Sequence, residues 1–416
     1  MFQLNFTKSL FLPFLGISFF IFFQNCEVDS SVRFITTPCK MGGEPNLHIT
    51  NSGKALLSWV EYLNDSTDVL TFAHLDGYQW SAPEIITSGN NWFVNWADFP
   101  SLVTYQEDEA KMAAHWLQKS APGTYDYDVR ISQSVNGGKD WSPAFIPHKD
   151  GIAAEHGFVS LLPTGNNQIF ASWLDGRYTK TENVSDGHDH EGQRGAMTLR
   201  GAFFDDKGQL FNGYELDGRV CDCCSTSAAL TSKGVIVAYR DRSEEEIRDI
   251  SIVRQMDTDW TQPRTVFADN WEIAGCPVNG PKIIANGEEV ALAWFTMAGD
   301  TARVKFAVSS DAGANFSLPV QIDEGRPLGR VGLEFDDSGW IVSWLESINE
   351  EEALIRLAKI NRQLKIEKRQ TVSSVSSSRS TGFPVVKRYG EDILVAWTTV
   401  LDEEENTSIQ TALLRF

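Results

Sequence analysis

Val290-Ala-Leu-Ala-Trp294 is a short apolar strand that ends in an aromatic, and the same unit recurs along the whole chain. It appears as Ala55-Leu-Leu-Ser-Trp59, Met112-Ala-Ala-His-Trp116, Ile169-Phe-Ala-Ser-Trp173 and Val235-Ile-Val-Ala-Tyr239. After the fifth copy it returns as Ile341-Val-Ser-Trp344 and Ile393-Leu-Val-Ala-Trp397, so the aromatics are spaced by 57, 57, 66, 55, 50 and 53 residues. A fixed period of this length signals a repeat architecture rather than several unrelated domains. Around Trp294 the unit divides into four strand-like segments, Pro281–Ala285, Val290–Phe295, Arg303–Val308 and Leu318–Ile322, separated by turn residues. A four-stranded sheet repeated around an axis is a propeller blade, and seven copies give an all-β, seven-bladed β-propeller with antiparallel blades. The seventh copy has only three strands, near Phe383–Lys387, Ile393–Trp397 and Ser408–Arg415. Val32–Thr37 belongs to no copy, so it is expected to supply the missing outer strand and close the ring.

Two turns carry a family resemblance. Ser134-Val-Asn-Gly-Gly-Lys-Asp-Trp141 and Ser309-Ser-Asp-Ala-Gly-Ala-Asn-Phe316 resemble the Asp-box of sialidase-like (BNR) propellers, Ser-x-Asp-x-Gly-x-x-Trp. Both fall between third and fourth strands, as in that family. By repeat logic the resemblance extends over residues 32–416. An Asp or Asn suits such a turn because its side chain bonds nearby backbone amides, and glycine permits positive φ. The motif speaks for fold and hardly at all for activity.

The N-terminus reads as an export signal: Lys8 precedes an apolar run from Leu10 to Phe23, too short for a membrane span. Cys26 follows at the position of the lipidated cysteine of a bacterial lipoprotein, which the chain resembles here. The expected organisation is a signal peptide at 1–25, a tether at 26–31 and one propeller at 32–416. The expected protein is a secreted or cell-envelope monomer that meets a membrane only through lipid on Cys26. A net charge of −20 argues against a nucleic-acid partner. Thirteen Trp and twenty-five Phe supply the material for a large core.

In a propeller the loops from a fourth strand to the next first strand share a face with the second-to-third loops. The first set holds Cys39, Trp96-Ala-Asp98, Glu155-His156-Gly157, Arg219-Val-Cys221-Asp222-Cys223-Cys224, Cys276-Pro-Val-Asn279, Arg326, Arg330 and Arg379. The second adds Asp175-Gly-Arg177, Arg240-Asp-Arg242 and an insertion in blade three containing His188-Asp-His190-Glu191. All five cysteines after Cys26 therefore gather on one face. Three readings of these thiols stand open: disulfides suited to an oxidising compartment, a soft-metal site, and a redox or nucleophilic thiol. Thiolates select copper(I) or zinc, and His156 or the His188/His190 loop would complete a shell. Cys221, Cys223, Cys224, Cys276 and His156 sit in three successive loops, so they are expected in one pocket at the mouth of blades three to five. If Cys221–Cys224 is extended, Cys221 and Cys223 share a side and Cys224 turns elsewhere, toward Cys276. His74 and His115 lie on strands and read as packed histidines.

The sialidase resemblance implies an arginine cluster for an anionic sugar, a Tyr nucleophile backed by Glu, and an Asp acid. No catalytic set carries over residue by residue; the chain offers Asp98, Glu155, Arg177, Arg200 and Arg240 for catalysis, with Asp175, Arg219, Arg242, Asn279 and Arg330 for ligand binding, and salt bridging between blades is the alternative for several arginines. The Arg-Ile-Pro motif of a sialidase's first blade is absent: Gly43-Glu44-Pro45-Asn46 stands there, and sialidases have six blades. Three functions follow: a ligand- or metal-binding lipoprotein, a glycoside hydrolase acting on anionic glycans, and a non-catalytic interaction scaffold. The expected ligand is a small molecule, a glycan or a metal.

Overall fold

The computed structural model describes residues 31–180, 195–402 and 406–416. The signal segment, Cys26 and the His188–Glu191 loop lie outside the described residues. No described helix is long and apolar enough to cross a membrane.

Seven antiparallel sheets form the molecule. Blade one is built on Gly42–Ile49, Ala55–Asn64, Thr67–Asp76 and Glu84–Gly89; blade three on His156–Gly165, Gln168–Asp175, Thr198–Asp205 and Leu210–Asp217. Blade four opens with Ser227–Thr231 and blade five with Lys282–Asn286. Blade six opens with Pro327–Asp336 and blade seven with Val385–Tyr389. The first strands touch in sequence around the axis, and that of blade seven meets that of blade one. The expected closure is present: Val32–Ile35 pairs with the last strand, Thr407–Leu414, in the register Val32↔Leu414 to Ile35↔Thr411. Blade two departs from the plan. Its sheet has three strands, Ser101–Thr104, Met112–Lys119 and Tyr127–Ser134, and the place of the fourth is marked only by a bridge between Ile131 and Phe145.

Both faces of every blade are buried, which is why the second strands read as nearly continuous apolar runs rather than alternating ones. The seven apolar clusters are the seven blade interfaces. The repeated aromatics Trp59, Trp116, Trp173, Tyr239, Trp294, Trp344 and Trp397 are all buried in them. Residues two apart in a strand share a face, and three of these indoles use that spacing. Trp59, Trp173 and Trp344 donate their Nε1–H to Glu61, Asp175 and Glu346 at 2.7, 2.9 and 2.5 Å.

The Asp-box turns are self-contained. Ser309 Oγ accepts the Gly313 amide at 3.0 Å, and Asp311 Oδ1 accepts the Asn315 amide at 2.8 Å. Ser134 and Asn136 repeat both bonds, at 3.0 Å each, to Gly138 and Asp140. Beside the second turn lies an open hollow of about 630 Å³, lined among others by Asp311, Asn315, Trp340 and Arg362. Its Asp311 is already engaged by Asn315, whose hydrogen bond holds that carboxyl down to about 2.

Candidate functional site

The opposite, loop-bearing face begins at the mouths of the first strands. Those of blades one, three and six each open with a bulge, and its first unpaired residue has positive φ: Glu44, Phe158 and Arg330. Two bulges are bracketed from the preceding blade. Asp98 Oδ1 accepts the Phe158 amide at 2.7 Å, and Asn279 Oδ1 accepts the Arg330 amide at 2.7 Å. The glycine ahead of each bulge residue gives room for this approach. A Cβ on Gly157 would stand 2.0 Å from Asp98 Oδ2, and one on Gly329 would stand 2.2 Å from Asn279 Oδ1. Asn279, placed among the ligand-binding candidates, thus has a scaffold task.

Next to Asn279 lies the thiol cluster. Cys221 to Cys224 forms a turn, not the extended segment expected, so all three sulfurs converge. Cys221 Sγ is 3.4 Å from Cys224 Sγ and 3.9 Å from Cys223 Sγ. Cys224 accepts the Asn279 amide at 3.3 Å, and Arg248 Nη1 donates to Cys221 at 3.2 Å. Cys276 reaches Cys223, not Cys224, and is the exposed member of the group. All the described cysteines are free thiols. Hydrogen bonds from Cys223 and Cys224, with the Arg248 charge, hold the Cys221 thiol well below its usual range, and donating to Cys221 pushes Cys223 up. Cys39 stands apart between blades seven and one, where burial raises its thiol to about 12.

Glu155 lies toward this cluster, close enough to feel Cys276 and Asp222. It shares a partner with Asp98. The Tyr127 hydroxyl is 3.1 Å from Asp98 Oδ2 and 3.0 Å from Glu155 Oε1. Burial raises the Asp98 carboxyl to about 7 and the Glu155 carboxyl to about 8. Tyr127 is fully buried and stacks on Phe93 at 4.0 Å between centroids.

His156 does not join the thiols. Its Nε2 lies 2.9 Å from Asp150 Oδ2 and its Nδ1 3.3 Å from the Tyr127 carbonyl. Its ring stacks flat on His148, with centroids 3.8 Å apart and planes 1° from parallel. Asp128 and Asp175 complete the surroundings. Sequence reasoning missed His148. Its only signal was the run Ser142-Pro-Ala-Phe-Ile-Pro147-His148, where two prolines occupy the place of blade two's fourth strand.

The arginines do not assemble into a free cluster for an anionic sugar. Arg177 makes a bidentate pair with Asp175, at 2.7 Å for both Nε and Nη2, and reaches Asp150 at 3.1 Å. Arg200 pairs with Glu215. Arg240 is 1 % exposed and donates to the carbonyls of Asn279, Arg248 and Phe295, which assigns it to the scaffold rather than to catalysis. Arg242 is held by Asp222 and Glu246. Arg330 is bonded to the carbonyls of Ser378 and Gly382 over the Trp96 ring. Of these candidates only the Arg219 side chain has no hydrogen bond or ion pair among the described residues.

No protein-family profile and no curated protein matches the chain. Among solved structures it resembles a protein of unknown function from Dyadobacter fermentans: 12% identity, TM-score 0.52, over 93% of this chain and 100% of that one. It also resembles the phage phi92 endosialidase: 10% identity, TM-score 0.52, over 92% of this chain and 69% of that one. At such identities the likeness establishes the fold alone, a β-propeller.

Proposed function

We propose that this chain is an exported, envelope-tethered monomeric propeller that holds a soft metal ion, copper(I) or zinc, on its loop-bearing face. One observation carries the reading: the sulfurs of Cys221, Cys223 and Cys224 lie mutually within 4.8 Å, with Cys276 adjoining Cys223. A Cys-rich shell of this kind suits both ions, which favour thiolate over oxygen donors. Arg248 beside Cys221, and Arg240 near Cys224, offset the negative charge that bound thiolates bring. Export is supported by the apolar run ahead of Cys26, and in an oxidising compartment a bound ion also protects close thiols from pairing. The test is elemental analysis of protein purified without chelator, with free thiols counted alongside. Wild type should retain copper or zinc, and Cys223→Ser should lose it while the ring stays folded. Full metal content in Cys223→Ser, or a Cys221–Cys224 disulfide in the native protein, overturns the reading.

A second reading, a glycan-acting hydrolase, is favoured by the Asp98–Tyr127–Glu155 arrangement beside the axial mouth. The consumed arginines weigh against a sialidase, so neutral as well as anionic glycans belong in its test. Turnover of any glycan that is abolished by Glu155→Gln would establish it; no turnover across the panel would remove it.

A further inference from the structure

We propose a second metal site in this chain: a first-row divalent ion bound by Asp128, His148 and His156 that staples blade two to blade three. Asp128 comes from the third strand of blade two, His156 from the first strand of blade three, and His148 from the segment joining them. A ligand oxygen of Asp128 and ring nitrogens of both histidines lie mutually within 4.8 Å, and all three residues are buried. Asp128 Oδ1 is 3.9 Å from both His148 Nε2 and His156 Nδ1, while its Oδ2 is turned to Arg130.

The second, independent observation is His148 itself. It is only 7 % exposed, and neither ring nitrogen has a hydrogen-bond partner among the described residues. A buried imidazole without partners costs free energy, roughly 1–3 kcal/mol for an unsatisfied polar group. Stacking its ring flat on another histidine does not relieve that cost. A cation between Nε2 of His148, Nδ1 of His156 and Oδ1 of Asp128 does, with the two rings turned out of their parallel stack so that both lone pairs face the ion and with His156 Nδ1 released from the Tyr127 carbonyl.

The far edges of both rings fit the same assignment. A histidine that ligates through one nitrogen commonly donates its other N–H to a carboxylate, which fixes tautomer and orientation. His156 Nε2 lies 2.9 Å from Asp150 Oδ2, and His148 Nδ1 faces Asp150 Oδ1 at 3.7 Å. One carboxylate thus backs His156 directly and lies opposite the far edge of His148. Arg177 in turn fixes it, bonding Asp150 and Asp175 together. Two imidazoles and one carboxylate select zinc, iron, cobalt or manganese in their divalent states over calcium or copper(I). Burial of all three ligands makes the role structural. The ion would tie the segment carrying His148, which pairs with blade two through the Ile131–Phe145 bridge, to the first strand of blade three.

The site shares no ligand with the thiol cluster, so the two can be tested apart. The full chain with Cys221, Cys223, Cys224 and Cys276 all changed to Ser is loaded with cobalt(II) and freed of excess metal. It should retain a single equivalent, with ligand-field absorption and no thiolate charge-transfer band. Adding His148→Ala removes a direct ligand, so retention should fall at least as far as the roughly 10- to 100-fold lost with an outer-shell partner, and chelator should then no longer lower the thermal midpoint. If His148→Ala does not fold, Asp128→Asn carries the same comparison. In the wild-type background the same substitutions should leave the thiolate bands in place. A folded four-serine variant that retains no cobalt, or retention unchanged by both substitutions, overturns the proposal.

Discussion

The junctions of blades two with three and of blades five with six are built alike and carry different chemistry. In each, a side chain of one blade accepts the amide of a positive-φ bulge residue in the next, at 2.7 Å. At the second junction the acceptor is Asn279, a neutral amide whose remaining hydrogens are donated to the carbonyls of Pro277 and Leu328. At the first it is Asp98, a carboxyl with Tyr127 on its other oxygen and Glu155 one hydroxyl away. The asparagine shows that the scaffold needs only an acceptor. The ionisable carboxyl at Asp98 is therefore more than the bracket requires, and through the Tyr127 hydroxyl it adjoins Glu155, which feels Cys276.

The comparison breaks hardest at the glycines. Gly329→Ala puts a methyl 2.2 Å from Asn279 Oδ1 on a backbone with φ of 79°, so it both severs the bracket and strains the chain. A loss of about 3 kcal/mol or more is expected from overpacking plus an orphaned amide. Gly157→Ala should follow closely. Denaturant midpoints measure both, and near-neutral effects would mean the brackets do not hold the blades together.

A smaller effect sharpens the difference between the acceptors. Asp98 is 2 % exposed and its carboxyl is raised from 3.8 to about 7 by burial, so the folded state keeps a proton that the unfolded chain releases. Its contribution to stability is whole below about pH 4 and is lost as pH rises through about 7. Asp98→Asn should keep the bracket and flatten that slope, a difference on the order of a few kcal/mol at neutral pH. Asn279→Asp should do the reverse. Chemical denaturation between pH 4 and 8 reads both, and parallel curves for wild type and Asp98→Asn would show that Asp98 titrates normally.

The ring was legible in the sequence because one physical requirement repeats: each second strand must bury both faces against its neighbours. The Trp59-to-Trp397 series, the three-stranded last unit and the unpartnered Val32–Thr37 all follow from it. Topology also placed the thiols together, since loop connectivity alone decides the face. What failed was local geometry. An extended backbone would turn Cys224 away from Cys221, whereas the turn brings their sulfurs to 3.4 Å. Blade order alone sets His156 beside the thiols, the nearest soft donors in sequence. Its actual neighbours, Asp128, His148 and Asp150, come from a strand and an irregular segment whose fold no periodicity announces. The arginines were counted by face, but whether a guanidinium is free depends on carbonyls and carboxylates that only the packed structure brings to it.

The closing strand has a kinetic consequence. Thr411 bonds the Ile35 carbonyl across 376 residues of chain, so the contact that completes the circle is among the most distant in sequence. Such contacts form slowly, because loop entropy is lost before any pairing energy is returned. During synthesis the first strand must wait, unpaired, until the last has emerged. The six blades that can assemble meanwhile form an open arc with two raw ends. Folding should therefore end in one late, cooperative step, and any binding that needs the full circle should appear only with that step.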